Sequence, residues 1–155
     1  MTPAVAILED HPDRVTAMQA VLAEVLPGVE CHFFPGAPEM LAWLRDEGGL
    51  ARAVLISLDH DLDSVVPVHL QHRDPGCGRD VADWLASQPA VCPVVVHTTN
   101  EQAAPGMMRV LRERGWPVWR VYPRDGHAWI GTDWASDLRD LIRRGWIVAG
   151  SVNPP

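Results

Sequence analysis

Short unbroken apolar runs alternate along the chain with stretches whose apolar residues recur at helical spacing. Val5-Ala6-Ile7-Leu8 predicts a buried strand closed by Glu9-Asp10. Beyond His11 the period changes: Val15, Met18, Leu22 and Val25 share one helical face, Pro12 suits the first helical position, and Pro27-Gly28 stops the helix. Val29 to Phe34 predicts a second strand, Pro35-Gly36 a turn, and Met40, Leu41 and Leu44 a short helix. Ala53 to Leu58 is the clearest strand, ending at Asp59. A polar stretch from His60 to Gly78 follows, longer than a minimal connection needs, as expected of a functional loop. Val81, Trp84 and Leu85 mark the next helix, and Val94-Val95-Val96 the next strand, closed by His97-Thr98-Thr99-Asn100. Met107, Met108 and Leu111 face the core from a further helix stopped at Gly115, and Val118 to Tyr122 predicts a fifth strand. Thr132 is placed to cap a last helix carrying Trp134, Leu138, Leu141 and Ile142. The domain is expected over residues 1–150, with Ser151 to Pro155 a frayed tail.

Five strand–helix repeats with continuous apolar strands predict an α/β fold, a single doubly wound parallel sheet covered by helices on both faces. Such sheets bind ligands beyond the carboxyl ends of their strands. The residues expected there are Glu9-Asp10, Asp59-His60-Asp61, His97 to Asn100 and Pro123-Arg124.

Composition narrows the chemistry. At 155 residues, 47% hydrophobic and 21% charged, the chain suits one domain with a sizeable core. No run is long enough to span a bilayer, and the start lacks the marks of a signal peptide. Three scattered cysteines, Cys31, Cys77 and Cys92, fit neither a disulfide framework nor a CxxC zinc site, so a cytoplasmic setting is expected. A net charge of −7 disfavours tight non-specific nucleic-acid binding. All 13 basic residues are arginine, which excludes P-loop and Schiff-base chemistry that needs an ammonium group.

Glu9, Asp10 and Asp59 follow apolar strands and so gather at one sheet edge; in the flavodoxin-like order the first and third strands are neighbours. Three carboxylates there repel unless a cation or proton is present. An all-oxygen set suits Mg²⁺, Mn²⁺ or Ca²⁺ rather than zinc. Each acid taken singly can also serve as a helix-terminus charge; it is the set at matching strand ends that points to a site.

Leu8-Glu9-Asp10, Asp59 on the third strand and Thr98 after the fourth resemble the receiver domain of bacterial response regulators. That resemblance implies a three-layer receiver-like sandwich, with Mg²⁺ (or Mn²⁺) at Glu9, Asp10 and Asp59. The family's lysine before a proline is replaced: Trp119-Arg120-Val121-Tyr122-Pro123 has Tyr122 there. Leu58-Asp59-His60-Asp61-Leu62, the run Gly76 to Leu85, and His97-Thr98-Thr99-Asn100 with Met107-Met108 are similar to a narrower group, the cyclic-phosphate-processing receiver-like family, over roughly Val5 to Ile142. This similarity implies an enzyme-like site for cyclic phosphates such as those at RNA ends.

The expected chemistry is metal-assisted phosphodiester opening on a 2′,3′-cyclic phosphate of a small molecule or RNA terminus. Asp59, Asp61, His60 and His97 are the candidate catalytic residues, with either histidine able to relay a proton. Thr98, Thr99 and Asn100 offer neutral hydrogen bonds to phosphate or ribose, and Arg124 is the candidate phosphate clamp in the lysine's absence. Two other readings stand beside it. One is a degenerate receiver acting as a signalling or protein-interaction module without phosphoaspartate switching. The other is a haloacid-dehalogenase-type phosphatase, from the DxD spacing of Asp59-His60-Asp61; that motif follows the first strand in those enzymes and the third here.

Overall fold

The computed structural model describes residues 1–63, the backbone of 65–66 and 71–72, and residues 74–124 and 126–148. The predicted loop residues His69 and Arg73 and the tail from Ser151 lie outside these. In chain order the strands are β1 (Ala4–Leu8), β2 (Glu30–Phe34), β3 (Ala53–Leu58), the two-residue β4 (Val65–Val66) and β5 (Gln71–His72), β6 (Val94–Val96) and β7 (Val118–Arg120). Five of them form one parallel sheet in the order β2-β1-β3-β6-β7, with the direction of winding reversing beside β1. β4 and β5 pair as a separate antiparallel hairpin, a feature the polar loop did not announce.

Helices cover both faces: α1 (Pro12–Val25), α2 (Ala37–Asp46), the one-turn α3 (Gly49–Arg52), α4 (Gly78–Leu85), α5 (Ala103–Arg112) and α6 (Ala135–Arg143). Because side chains alternate along a strand, each strand feeds two cores. Ala4, Ala6 and Leu8 join Ile56, Leu58, Val94 and Val96 beneath α2, α4 and α5. Val5 and Ile7 join Leu55 and Val95 beneath α1 and α6. The same alternation, continued past the strand ends, directs the odd-numbered Glu9, Ser57, Asp59 and His97 toward the α1/α6 side.

One expectation is corrected here. Thr132 does not cap α6. It lies within a π-helical turn, Ile130–Trp134, that runs directly into α6, and its hydroxyl donates to the Ala128 carbonyl at 2.9 Å. That turn drives Trp129 and Trp134 into the second core, both fully buried. They are packing residues, and neither is available to stack on a nucleobase.

Candidate functional site at the strand ends

The ligating oxygens of Glu9, Asp10 and Asp59 all lie within 4.8 Å of one another. Parallel pairing of β1 with β3, which sets Leu8 opposite Leu58, brings the residues after each strand to the same edge. Backbone amides hold the carboxylates: His11 N–H donates to Glu9 Oε1 at 3.0 Å, His60 N–H to Asp59 Oδ1 at 2.7 Å, and Asp63 N–H to Asp10 Oδ2 at 2.5 Å. Gly78 completes the floor. A Cβ there would lie 2.0 Å from the Asp59 carbonyl oxygen, so only glycine lets α4 start this close.

His97 is fully buried and forms a polar chain with its neighbours. A carboxylate can only accept, so Nε2 carries a proton and donates to Glu9 Oε2 at 3.2 Å. On the other side Nδ1 meets Ser57 Oγ at 2.8 Å, and that hydroxyl oxygen accepts from Trp134 Nε1 at 3.3 Å. The Trp129 ring stacks on the imidazole at 5.9 Å between centroids. The polar atoms linking Glu9, His97, Ser57 and Trp134 are all engaged, which is what makes their burial tolerable, whereas Trp129 Nε1 is buried without a hydrogen-bond partner.

Arg14, on the first turn of α1, supplies the cation. One of its terminal nitrogens lies 3.6 Å from Glu9 Oε2 and 3.8 Å from Asp59 Oδ2, and its guanidinium lies 5.7 Å from the Trp129 ring centroid. Arg124 does not fill this place: its side chain is 76% exposed and pairs with Asp133 at 3.3 Å. The strand-end cation Arg120 is also occupied, donating to the Thr98 carbonyl at 2.8 Å with its guanidinium over the Tyr122 ring.

Electrostatics separate the two buried carboxylates. Burial pushes the Asp59 carboxyl up to about 6, and the Glu9 charge adds to the rise against the pulls of His97, the His60 amide and Arg14. Burial acts on Glu9 too, but the His97 hydrogen bond and charge, the His11 amide and Arg14 together hold it below the usual glutamate range. Burial raises Asp10 as well, with Glu9 adding to it and the Asp63 amide opposing.

The rim is built differently. Asp61, 64% exposed on its side chain, meets His60 Nδ1 at 2.9 Å. Asn100 Nδ2 donates to both Asp61 oxygens at 3.3 Å, while its Oδ1 accepts from the amides of Gln102 and Ala103 and anchors the start of α5. Thr98 is buried and its Oγ1 accepts from the Asn100 amide at 3.1 Å, so it shapes the turn; Thr99 is exposed. The structure thus joins Glu9, Asp10, Asp59, His60, Asp61, His97 and Asn100 in one neighbourhood. Arg14, Ser57, Trp129 and Trp134 are additions that the sequence reading missed. Strand parity, applied to Ser57, and the position of Arg14 one helical turn after Asp10 were the signals that could have found two of them.

A parallel sheet of this order, with two acids after β1 and an aspartate after β3, defines a receiver domain of the response-regulator type. Solved structures agree on the fold. The phosphorylated cyanobacterial phytochrome response regulator RcpA is 18% identical, with a TM-score of 0.66 over 97% of this chain and 100% of that one. The Mn²⁺-bound form of response regulator Rcp1 is 19% identical, with a TM-score of 0.61 over 99% of each chain. A receiver domain from Rhodospirillum rubrum is 15% identical, with a TM-score of 0.60 over 89% of each. No curated protein matches this chain in sequence. Within the class, the chain belongs to the cyclic-phosphate processing receiver domain family, whose sequence model matches residues 27–113. That span includes Asp59, Asp61 and His97 to Asn100 but not Glu9, Asp10 or Arg14. No helix among the described residues is long and apolar enough to cross a membrane.

Proposed function

We propose that this domain is a divalent-metal-assisted phosphoesterase acting on cyclic phosphates, of the 2′,3′-cyclic type found on nucleotides and RNA ends. The observation that carries the proposal is the pairing of a tight all-oxygen cluster with a separate acid–base group at its rim. Glu9, Asp10 and Asp59 offer three hard donors within 4.8 Å, with one arginine nearby to balance them. That set fits Mg²⁺ or Mn²⁺, and it is short of positive charge without one. When bound, such an ion supplies Lewis-acid stabilisation of charge on a phosphoryl oxygen.

The chain's own residues divide the remaining work. Arg14 offers its guanidinium beside the cluster as the phosphate clamp that a lysine provides in other receivers. Asp61 accepts from His60 Nδ1–H, which leaves the Nε2 lone pair for a proton. His60 is therefore the general acid or base in this reading. Its partner Asp61 orients it, and Asn100 orients Asp61. His97 has no surface from which to touch substrate. It positions Glu9 instead, and Thr99 is the hydroxyl left exposed for ribose or phosphate.

The test is hydrolysis of a 2′,3′-cyclic mononucleotide with Mg²⁺ or Mn²⁺. Turnover that disappears in Asp59→Asn and falls ~10²-fold or more in His60→Ala supports the reading. Intact metal binding with no turnover on any cyclic phosphate would sink it. A second reading, a signalling module, is favoured by the place of Asp59 after β3 in a fold shared with the phosphorylated regulator RcpA. Stoichiometric beryllofluoride binding at Asp59 without hydrolysis would establish that one.

A further inference from the structure

A second group of metal-ligand residues lies outside the acidic cluster. His11, Asp13 and His127 present ligand atoms that all lie within 4.8 Å of one another. They come from opposite ends of the chain: His11 and Asp13 open α1, and His127 precedes the π-helical turn. Both histidines are fixed at the backbone. The His11 carbonyl accepts from Val15 N–H at 3.0 Å, and the His127 carbonyl from Ile130 N–H at 3.0 Å. Their rings face each other at 5.2 Å between centroids, tilted by 57°. His127 Nε2 already sits 3.7 Å from Asp13 Oδ2, while its Nδ1 is buried without a hydrogen-bond partner.

We propose that His11, Asp13 and His127 bind a transition-metal ion of the zinc class, separately from the hard-cation cluster. Two imidazoles and a carboxylate form the donor set that Zn²⁺, Co²⁺ and Ni²⁺ prefer and that Mg²⁺ does not. Ligand atoms in a tetrahedral zinc site lie about 3.3 Å apart, as follows from metal–ligand bonds of about 2.0–2.2 Å. The His127–Asp13 distance is already near that, and side-chain rotation at exposed His11 closes the rest. Three protein ligands leave a fourth position for water or an anion, the pattern of open rather than closed sites. The bound ion would pin the start of α1 to the turn before Trp129. Because the His11 amide also holds Glu9 Oε1, the two sites share one short loop.

Co²⁺ titration of the whole chain in excess Mg²⁺ tests this by visible absorption, with Mg²⁺ present to fill the carboxylate cluster. One equivalent of Co²⁺ is expected to give the intense d–d bands of a low-coordinate ion, and Zn²⁺ to erase them. The bands should persist in Asp59→Asn. In His127→Ala and His11→Ala the affinity should fall at least ~10-fold, the smallest loss seen when even an outer-shell partner is removed. Far-UV circular dichroism checks that each variant is folded, and His11→Ala, at an exposed position, decides the matter if His127→Ala is not. Bands that vanish in Asp59→Asn but survive in folded His11→Ala would place the ion among the carboxylates and overturn the proposal. Absence of any such band in the unaltered protein would overturn it as well. Neither readout depends on hydrolysis of a phosphate.

Discussion

The two histidines at the strand ends stand in opposite situations. His97 has no solvent-exposed surface, and both its ring nitrogens are engaged by groups that are themselves buried. His60 sits at the rim beside an exposed aspartate, which leaves one nitrogen to meet a ligand. Each follows an apolar strand in the sequence, but His97 matches the parity of Asp59 and His60 falls one residue further on, on the opposite parity. Their difference separates holding a carboxylate in place from exchanging a proton with something outside. It also dictates which measurement each variant should disturb.

The largest effect is expected at the buried end. His97→Ala removes one partner of a fully buried pair, leaving Glu9 Oε2 with only Arg14 at 3.6 Å and Ser57 Oγ with only Trp134 Nε1, a loss of roughly 3 kcal/mol. Urea unfolding measures it, and a loss below about 1 kcal/mol would show that the polar chain adds little to stability. At the rim the effect moves from stability to rate. His60→Ala should cost about 1 kcal/mol of stability, well below the loss in His97→Ala, while cyclic-phosphate turnover falls ~10²-fold. Equal loss of stability in both variants would erase the distinction.

A third measurement concerns Asp59. Its folded pKa of about 6 lies above the ordinary 3.8, so folding takes up a proton between these values. Metal-free stability from this group is therefore greatest below pH 4 and declines as pH rises toward 6 and beyond. Asp59→Asn removes that penalty. In EDTA it should stabilise the protein at pH 7.5 by on the order of 2 kcal/mol, with the gain fading toward pH 4. Glu9, held low, acts the other way, contributing stability above its unfolded pKa that is lost under acid. Mg²⁺ should raise the melting temperature of the unaltered chain and not of Asp59→Asn.

Gly78→Ala comes next. A methyl group 2.0 Å from a carbonyl oxygen forces α4 or the Asp59 backbone to move, at a cost of about 1–3 kcal/mol together with weaker Mg²⁺ binding by calorimetry. The smallest effect belongs to Arg124→Ala, expected within about 0.5 kcal/mol and without change in turnover, because its ion pair is exposed. A large loss there would restore Arg124 as the clamp; Arg14→Ala is the variant expected to impair phosphate binding.

The sheet was readable because short apolar runs such as Val5–Leu8 and Val94–Val96, set between helical stretches, mark strands buried on both faces. The acids at their ends followed from topology. What could not be read was depth. Strand parity separates His97 from His60, but the burial of His97 depends on Trp129 stacked on its ring and Trp134 holding Ser57 beside it. Those tryptophans depend on a π-helical turn, whose wider spacing no helical period announces. Arg124 was favoured because it lies near a strand end. Arg14 reaches the carboxylates because α1 begins at Pro12, directly after Glu9 and Asp10, which brings a residue of its first turn back over them.

The excursion between β3 and α4 starts and finishes at nearly the same point. Gly78 N–H donates to the His60 carbonyl at 3.1 Å, and Gly78 itself rests against the Asp59 carbonyl. The intervening chain is thus clasped at its base like a purse. Between Asp63, whose amide holds Asp10, and Asp74, its length and composition can change while the clasp keeps Asp59, His60 and the first turn of α4 fixed, since lengthening a closed loop costs only logarithmically in entropy. Insertions in that stretch would leave the acidic floor standing, whereas changes at Asp61 or Asp63 would reach it.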